Sequence, residues 1–265
     1  MRVTVLKLGG SLITEKDRPL TPNTRAIRAA VRAIRLSRLP SASHRLFLVH
    51  GGGSFGHYYA KRYDLSSSRF SSVDPKAVSL TSFAMRQLHC IVLSELIRQK
   101  VNCRTIEAPD MLDQRGHLSN LGSSLVPLLF ETNLIPVSFG DVSVTKGGAR
   151  IISGDEVCIA LARKFDVSRV IFAMDVDGIY PDSSLRGRIL SKLDRSSLAS
   201  LQVKSSPRKF DVTGGVGHKL ELAMKLSELG CEVFFLNGNK TERLERCLLG
   251  ESEIKATKLE RGKSF

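Results

Sequence analysis

A chain of 265 residues, 42% hydrophobic and 25% charged, can bury a sizeable core as one large domain or two fused lobes. Its formal charge of +14 and pI of about 9.9 point to anionic substrates, nucleic acid or a membrane surface. No apolar run approaches the ~20 residues of a membrane span, MRVTVLKLGG enters a strand pattern without signal-peptide features, and five scattered cysteines (Cys90, Cys103, Cys158, Cys231, Cys247) lack disulfide or metal-ligand spacing, so a cytoplasmic protein is expected.

In chain order, Val3–Leu8 reads as a buried strand interrupted by Lys7 and ended by Gly9-Gly10-Ser11. A polar loop with Lys16, Pro19 and Pro22 leads to an amphipathic helix over Thr24–Arg38. Residues 1–50 hold ten Lys/Arg against two acids. Arg25, Arg28, Arg32 and Arg35 share one face of that helix, which reads as a solvated face rather than an RNA patch, because no aromatic platform or basic tail accompanies it. Leu46–His50 is the second strand, and Gly51-Gly52-Gly53-Ser54-Phe55-Gly56-His57 follows. The serine-rich stretch from Tyr63 to Asp74 reads as a lid-like turn region, and Pro75–Gln99 has helical spacing. A strand is expected over Arg104–Ala108, a hairpin over Asp110–Leu121, a helix over Val126–Thr132 and a strand over Leu134–Phe139. Gly140-Asp141 opens a hairpin over Val142–Ile152, turning at Lys146-Gly147-Gly148. Ser153-Gly154-Asp155 caps a helix over Glu156–Phe165. Arg169–Met174 is a strand, Arg195–Gln202 a helix, and the glycine-started segment to Leu229 another helix. Glu232–Leu236 is read as the last core strand, before a helix over Thr241–Leu248. Strands alternating with helices give an α/β fold with a mostly parallel sheet and helices on both faces.

In such sheets ligands bind at the carboxyl ends of the strands, and every glycine cluster here lies at such an end. Glycines let backbone N–H groups approach a ligand closely, and a helix starting there favours an anion. Gly51–Gly56 satisfies G-x-G-x-x-G. A dinucleotide site would need an acid about twenty residues on, and that region is Ser66-Ser67-Ser68-Arg69-Phe70-Ser71-Ser72, with no strand. Lys7 inside an apolar strand requires a counter-charge, which a phosphate at the strand end could supply; the alternative is an edge-strand lysine reaching water. His57 is either a phosphate ligand or a satisfied polar residue. Asp175 and Asp177 are either turn residues or contacts to nucleotide or metal–phosphate, and Asp155 could be only an N-cap. Lys219 near a helix N-terminus is unfavourable unless an anion sits there. Three lysines and three glycine nests describe a polyphosphate site, and phosphoryl transfer needs positioning and charge stabilisation above all.

These segments together resemble the amino acid kinase superfamily, and within it the isopentenyl phosphate kinase branch. The carrying residues are Lys7-Leu8-Gly9-Gly10-Ser11 with Lys16, Val49 through His57, Ile135-Pro136 with Gly140-Asp141, Ser153-Gly154-Asp155-Glu156, Asp175 through Tyr180, and Asp211-Val212-Thr213-Gly214-Gly215 with Lys219. The related fosfomycin kinases share the glycine loop and its histidine. The resemblance implies an αβα sandwich, usually homodimeric, that transfers phosphate from ATP to isopentenyl phosphate with Mg²⁺. It implies one domain over 1–265, with an acceptor-binding lobe at roughly 1–155 and a nucleotide-binding lobe at 156–265. By resemblance Lys7 and Lys219 hold ATP phosphates, and Lys16 stabilises the transferring group. Leu8, Gly9, Gly10, Ser11, Gly53, Asp175, Tyr180 and Gly215 line the nucleotide with them. Gly52, His57 and Gly154 hold the acceptor phosphate. No residue is assigned to the metal. The chain departs from many relatives in carrying Thr145 where they have an acid. The prenyl pocket is expected on the 75–100 helix, with Phe83 and Met85 as candidates. A kinase of another phosphate or phosphonate acceptor, and a non-catalytic anion- or RNA-binding protein on the same scaffold, are the alternatives.

Overall fold

The computed structural model describes residues 2–63, 65, 74–145, 148–181, 187–193 and 215–260, the side chains of 215–218 excepted. The first half runs β1 (Arg2–Leu8), α1 (Gly10–Ile13), α2 (Thr24–Ser37), β2 (His44–His50), α3 (Gly53–Arg62), α4 (Pro75–Arg98), β3 (Cys103–Thr105), α5 (Ala108–Met111), α6 (Asn120–Glu131) and β4 (Ile135–Phe139). The second runs β5 (Asp141–Thr145), β6 (Gly148–Ile152), α7 (Gly154–Lys164), β7 (Val167–Met174), α8 (Gly215–Glu228), β8 (Glu232–Asn237), α9 (Thr241–Leu248) and β9 (Thr257–Leu259).

Seven strands form one sheet in the order β3-β4-β2-β1-β7-β8-β9, parallel throughout except for β8 with β9. β5 and β6 make a separate antiparallel hairpin. Alternation along each strand divides the sheet's side chains between two cores. Val3, Val5, Phe47, Val49, Val170 and Phe172 face one side with Val126 of α6, Leu161 of α7 and Leu226 of α8. Leu6, Leu8, Leu46, Leu48, Ile171 and Ala173 face the other with Ile27 and Val31 of α2, Leu88 of α4 and Leu244 of α9. The result is the expected three-layer αβα sandwich. Lys7 shares strand parity with Val3 and Val5, which turns it toward α7.

Where helices begin and end follows local chemistry. Asn23 accepts from the Ala26 N–H at the start of α2, and Asp74 from the Lys76 N–H before Pro75 of α4. Ser153 and Glu156 form a reciprocal capping box on α7. Ser119 caps α6, which therefore starts at Asn120, six residues before the expected start; Pro127 lies inside it.

Three expectations are corrected. The strand over Arg104–Ala108 is only Cys103–Thr105, because Ala108 and Pro109 enter α5. The hairpin over Asp110–Leu121 reduces to one bridge, Leu112 with Leu118, closed by Asp113, whose carboxylate accepts from the N–H groups of Arg115 and His117. Glu232–Asn237 is not the last strand of the sheet: β9 pairs antiparallel on its outer edge. The expected turn at Lys146-Gly147, the helix over Arg195–Gln202, residues 66–73 and Asp211–Gly214 lie outside the described residues. No helix among the described residues is long and apolar enough to cross a membrane.

Candidate active site

Parallel strands deliver their carboxyl ends to one edge, and the loops leaving β1, β2, β4, β7 and β8 are laced together there. Gly9 N–H donates to Ala173 O, Gly51 N–H to Leu8 O, Gly140 N–H to His50 O and Gly238 N–H to Met174 O. The loops after β1 and β2 touch through their backbones. A Cβ on Gly10 would lie 2.3 Å from Gly53 N, and one on Gly53 would lie 2.1 Å from Thr14 Oγ1. Gly53 also has φ +47, where side-chain-bearing residues are strained. Thr14 Oγ1 locks the pair by donating to Gly10 O and accepting from Ser54 N–H.

Three sets of backbone donors open onto this edge. The N–H groups of Gly10 and Ser11 after β1, of Gly52 and Gly53 after β2, and of Gly154 and Asp155 at the start of α7 have no acceptor among the described residues. All three sit at helix starts, where such groups favour an anion. The third set is adjacent to the others: a Cβ on Gly154 would lie 3.4 Å from both His50 O and Lys7 Cε.

Lys7 meets its counter-charge in Asp155. The Lys7 ammonium donates to Asp155 Oδ1, both side chains being almost wholly covered, and also lies 5.7 Å over the Phe172 ring. Lys7 is thus neither an edge-strand lysine nor dependent on a phosphate for neutralisation. Asp155 is not the N-cap, which is Ser153. Lys16, on the loop after α1, is 58% exposed and pairs with Asp175 Oδ2 at 2.7 Å. Ser11 Oγ donates to the other oxygen of Asp175 at 3.0 Å. Asp175 therefore joins the β1 loop to the β7 loop.

Asp177 is a structural anchor. It accepts from Asn237 Nδ2, Arg243 Nη1 and Lys255 Nζ at 3.1, 2.8 and 2.6 Å. Partial burial opposes its charge, but these three donors outweigh burial and hold the carboxyl well below its ordinary range. Tyr180 is half-buried beside Ile179, whose N–H donates to Thr257 Oγ1. Gly215 and Lys219 are the first and fifth residues of α8, which joins parallel β7 to β8 and so starts at the same edge of the sheet. The Lys219 side chain is half-buried, with no ion pair to another described residue. His57 is the fifth residue of α3, half-buried.

Of the two prenyl-pocket candidates, Met85 is buried against the glycine loop: Cβ atoms on Gly52 and Gly56 would lie 2.7 and 3.0 Å from its Sδ. Phe83 is 60% exposed. Helix α4 is also tied to the hairpin. Asp141, raised by burial despite bonds from Val142 N–H and Ser82 Oγ, accepts Ser82 at 2.9 Å. Thr145 closes that hairpin by donating to Gly148 O at 3.3 Å. Burial pushes the Cys158 thiol up strongly and the Cys247 thiol up to about 12, which leaves both as inert core groups.

Sequence reasoning missed a buried histidine pair, His50 with His89, beneath the glycine loop. The signal for His50 was its place at the end of an apolar strand, where an ionisable ring needs a partner. For His89 it was a polar residue among the buried positions of α4.

Among the described residues no three His, Cys, Asp or Glu side chains cluster as metal ligands. Asp155 and Asp175 are each already paired with a lysine. The site's fixed groups are thus lysines and backbone donors, which suit phosphate oxygens. A divalent cation fits such a site when most of its shell comes from phosphate oxygens and water, with a single carboxylate such as Asp175.

The chain is similar to known proteins over nearly all of its length. The sequence model of the amino acid kinase family matches residues 2–237. An isopentenyl phosphate kinase of Methanocaldococcus jannaschii is 30% identical over 95% of this chain and 96% of its own length. One from Methanothermobacter thermautotrophicus is 30% identical over 96% of this chain and 98% of its own. A solved structure of the Thermoplasma acidophilum isopentenyl phosphate kinase product complex superposes with a TM-score of 0.76 at 26% identity, covering 97% of this chain and 99% of that one. By its glycine loops, its topology and this end-to-end match, the chain belongs to the amino acid kinase family.

Proposed function

We propose that this protein is an isopentenyl phosphate kinase, transferring the γ-phosphoryl group of ATP to isopentenyl phosphate to form isopentenyl diphosphate. The observation that carries this reading is the convergence of three nests of unpartnered N–H groups around Lys7 and Lys16. An alcohol or carboxylate acceptor would need only the nucleotide's share of them. End-to-end similarity to kinases of that name supports the choice of acceptor.

The chemistry follows from the groups present. The second pKa of a phosphate monoester is about 6, so at neutral pH the acceptor oxygen is already an anion and no general base is needed. What opposes reaction is repulsion between two phosphates, which fixed donors relieve without reorganising. Gly52, Gly154 and His57 hold the acceptor phosphate. Leu8, Gly9, Gly10, Ser11, Gly53, Asp175, Tyr180, Gly215 and the two lysines Lys7 and Lys219 hold the nucleotide. The two lysines of the β1 segment differ in mobility. Lys7 is covered and paired, so its ammonium stays fixed beside Asp155. Lys16 is exposed, and leaving Asp175 costs roughly 1 kcal/mol or less. Lys16 is therefore the group that follows the phosphoryl group in flight. Phosphate oxygens of the nucleotide, with Asp175, would hold a magnesium ion, which would supply positive charge to offset the repulsion between the two phosphates.

The same reading has residues 1–155 as the acceptor lobe and 156–265 as the nucleotide lobe, a homodimer, and a cytoplasmic location in keeping with five free cysteines. The test is a panel of acceptors with MgATP: isopentenyl phosphate, fosfomycin and a simple alkyl phosphate. Turnover is expected with isopentenyl phosphate. Its absence, with turnover of fosfomycin, would assign the enzyme to the phosphonate acceptors instead.

A further inference from the structure

The proposed reaction leaves unused two histidines beneath the glycine loop. His50 ends β2 and is fully buried, and His89 on α4 is nearly so. His50 Nδ1 lies 3.1 Å from the Gly51 carbonyl oxygen, His50 Nε2 lies 3.0 Å from His89 Nδ1, and His89 Nε2 lies 2.7 Å from Thr105 Oγ1. A carbonyl can only accept, so His50 Nδ1 carries the proton. His50 Nε2 must then accept, which makes His89 Nδ1 the donor. His89 Nε2 accepts in turn from the Thr105 hydroxyl. One carbonyl thereby fixes both tautomers, and every bond in the chain points at the loop. Phe139 stacks on both rings, with centroids 5.3 and 4.3 Å away.

The consequence lies in the peptide between Gly51 and Gly52. A trans peptide carries its C=O and N–H on opposite sides. Holding the Gly51 carbonyl against His50 turns the Gly52 N–H away from the ring, and that N–H has no acceptor among the described residues. No other described donor holds the Gly51 carbonyl. With glycine on both sides, this peptide has few steric barriers to turning over. A relay in which each bond polarises the next also strengthens the last donor.

We infer that His50, backed by His89 and Thr105, is a positioning residue that fixes the Gly51–Gly52 peptide so that its N–H faces the acceptor phosphate. This rests on the proposed reaction, in which Gly52 belongs to the acceptor nest. A purely structural pair would satisfy buried polar atoms without favouring one substrate over the other.

The experiment compares His50→Phe, His50→Asn and Thr105→Val in steady-state kinetics with isopentenyl phosphate and MgATP. Phenylalanine keeps the ring's bulk and removes the donor. Asparagine returns an N–H near the place of Nδ1. The expected result is a rise of about tenfold in KM for the acceptor in His50→Phe, the worth of one donor to a charged group, with KM for ATP unchanged. His50→Asn should recover most of that rise, and Thr105→Val should show about a twofold to threefold rise. Unchanged acceptor KM in His50→Phe, or equal rises for both substrates, overturns the inference. If His50→Phe does not fold, Thr105→Val decides: an acceptor-only rise supports the relay, and none overturns it. If the wild-type enzyme does not turn over isopentenyl phosphate, the proposed function fails on its own. Inorganic phosphate titrated calorimetrically into wild type and the Thr105→Val and His50→Asn variants then reads the nest directly. Weaker binding to Thr105→Val than to the other two supports the positioning role, and equal binding to all three overturns it.

Discussion

Lys7 of the central strand and Asp155 of α7, 148 residues apart in sequence, form an ion pair with only 11% and 9% of their side-chain surfaces exposed. The pair joins the sheet to the helix whose first N–H groups face the site, so it serves folding and charge placement at once.

Replacing one partner of a covered pair leaves the other charge without compensation. Asp155→Asn is expected to lower unfolding free energy by about 3 kcal/mol, measured by urea denaturation. Adding MgATP should restore part of the loss, because a bound anion supplies the missing charge. A variant as stable as wild type without ligand would show that Lys7 needs no carboxylate.

Lys16 predicts the opposite balance. Its pair with Asp175 is solvent-exposed, so Lys16→Ala should change stability by roughly 0.5 kcal/mol or less. If Lys16 follows the transferring group, kcat should fall by about 100-fold or more. Melting curves and single-turnover rates separate the two effects. A kcat within about threefold of wild type would remove Lys16 from the transfer step.

The contact between the β1 and β2 loops tolerates no side chain. Gly10→Ala would drive a methyl group to 2.3 Å from Gly53 N, a backbone atom that cannot swing aside. Gly53→Ala adds strain at φ +47. Each is expected to lose more than about 2 kcal/mol of stability together with nearly all activity. Gly230→Ala is the control: its φ is +86, yet nothing lies within 4 Å of its Cβ. It should keep full activity with a loss of about 1 kcal/mol.

The histidine pair predicts an acid-sensitive fold. Burial is the main cause that lowers His50 to about 4 and His89 to about 3, with His50 and Arg86 adding to the effect on His89. Both rings therefore bind protons more readily unfolded, near pH 6.5, than folded. Their stabilising effect is complete above that value and declines as pH falls toward 4. Asp141, with a raised folded pKa, works in the reverse sense over the carboxylate range. The expected loss from the rings is about 2 kcal/mol each by pH 5, read from denaturation at pH 7.5 and 5. A His50→Asn, His89→Gln double variant should flatten the slope, and an unchanged slope would assign it elsewhere.

Much of this was legible in the sequence because local signals agreed. Apolar runs ended by glycine or aspartate gave β1, β2, β4, β7 and β8 to within two residues, and Ser153-Gly154-Asp155 marked the start of α7. What escaped depended on distant partners. Lys7 could be seen to require a counter-charge, but Asp155 could equally well have been an N-cap, and only the packing of α7 on β1 decides. His50 and His89 are 39 residues apart and meet because α4 lies over β2. β9 is short, and the edge it covers is visible only once β8 is in the sheet.

The two loops that meet through Gly10 and Gly53 have a further property: their contact is backbone against backbone, bridged by the Thr14 hydroxyl, which neither titrates nor oxidises. The spacing between the two loops is consequently set by backbone packing and by the Thr14 hydroxyl. In the proposed reaction this contact keeps two like-charged substrates at a set separation, with no titrating group in the contact itself. Neither glycine can acquire a side chain without a matching shift in the other loop, so evolutionary drift at either position is constrained by both.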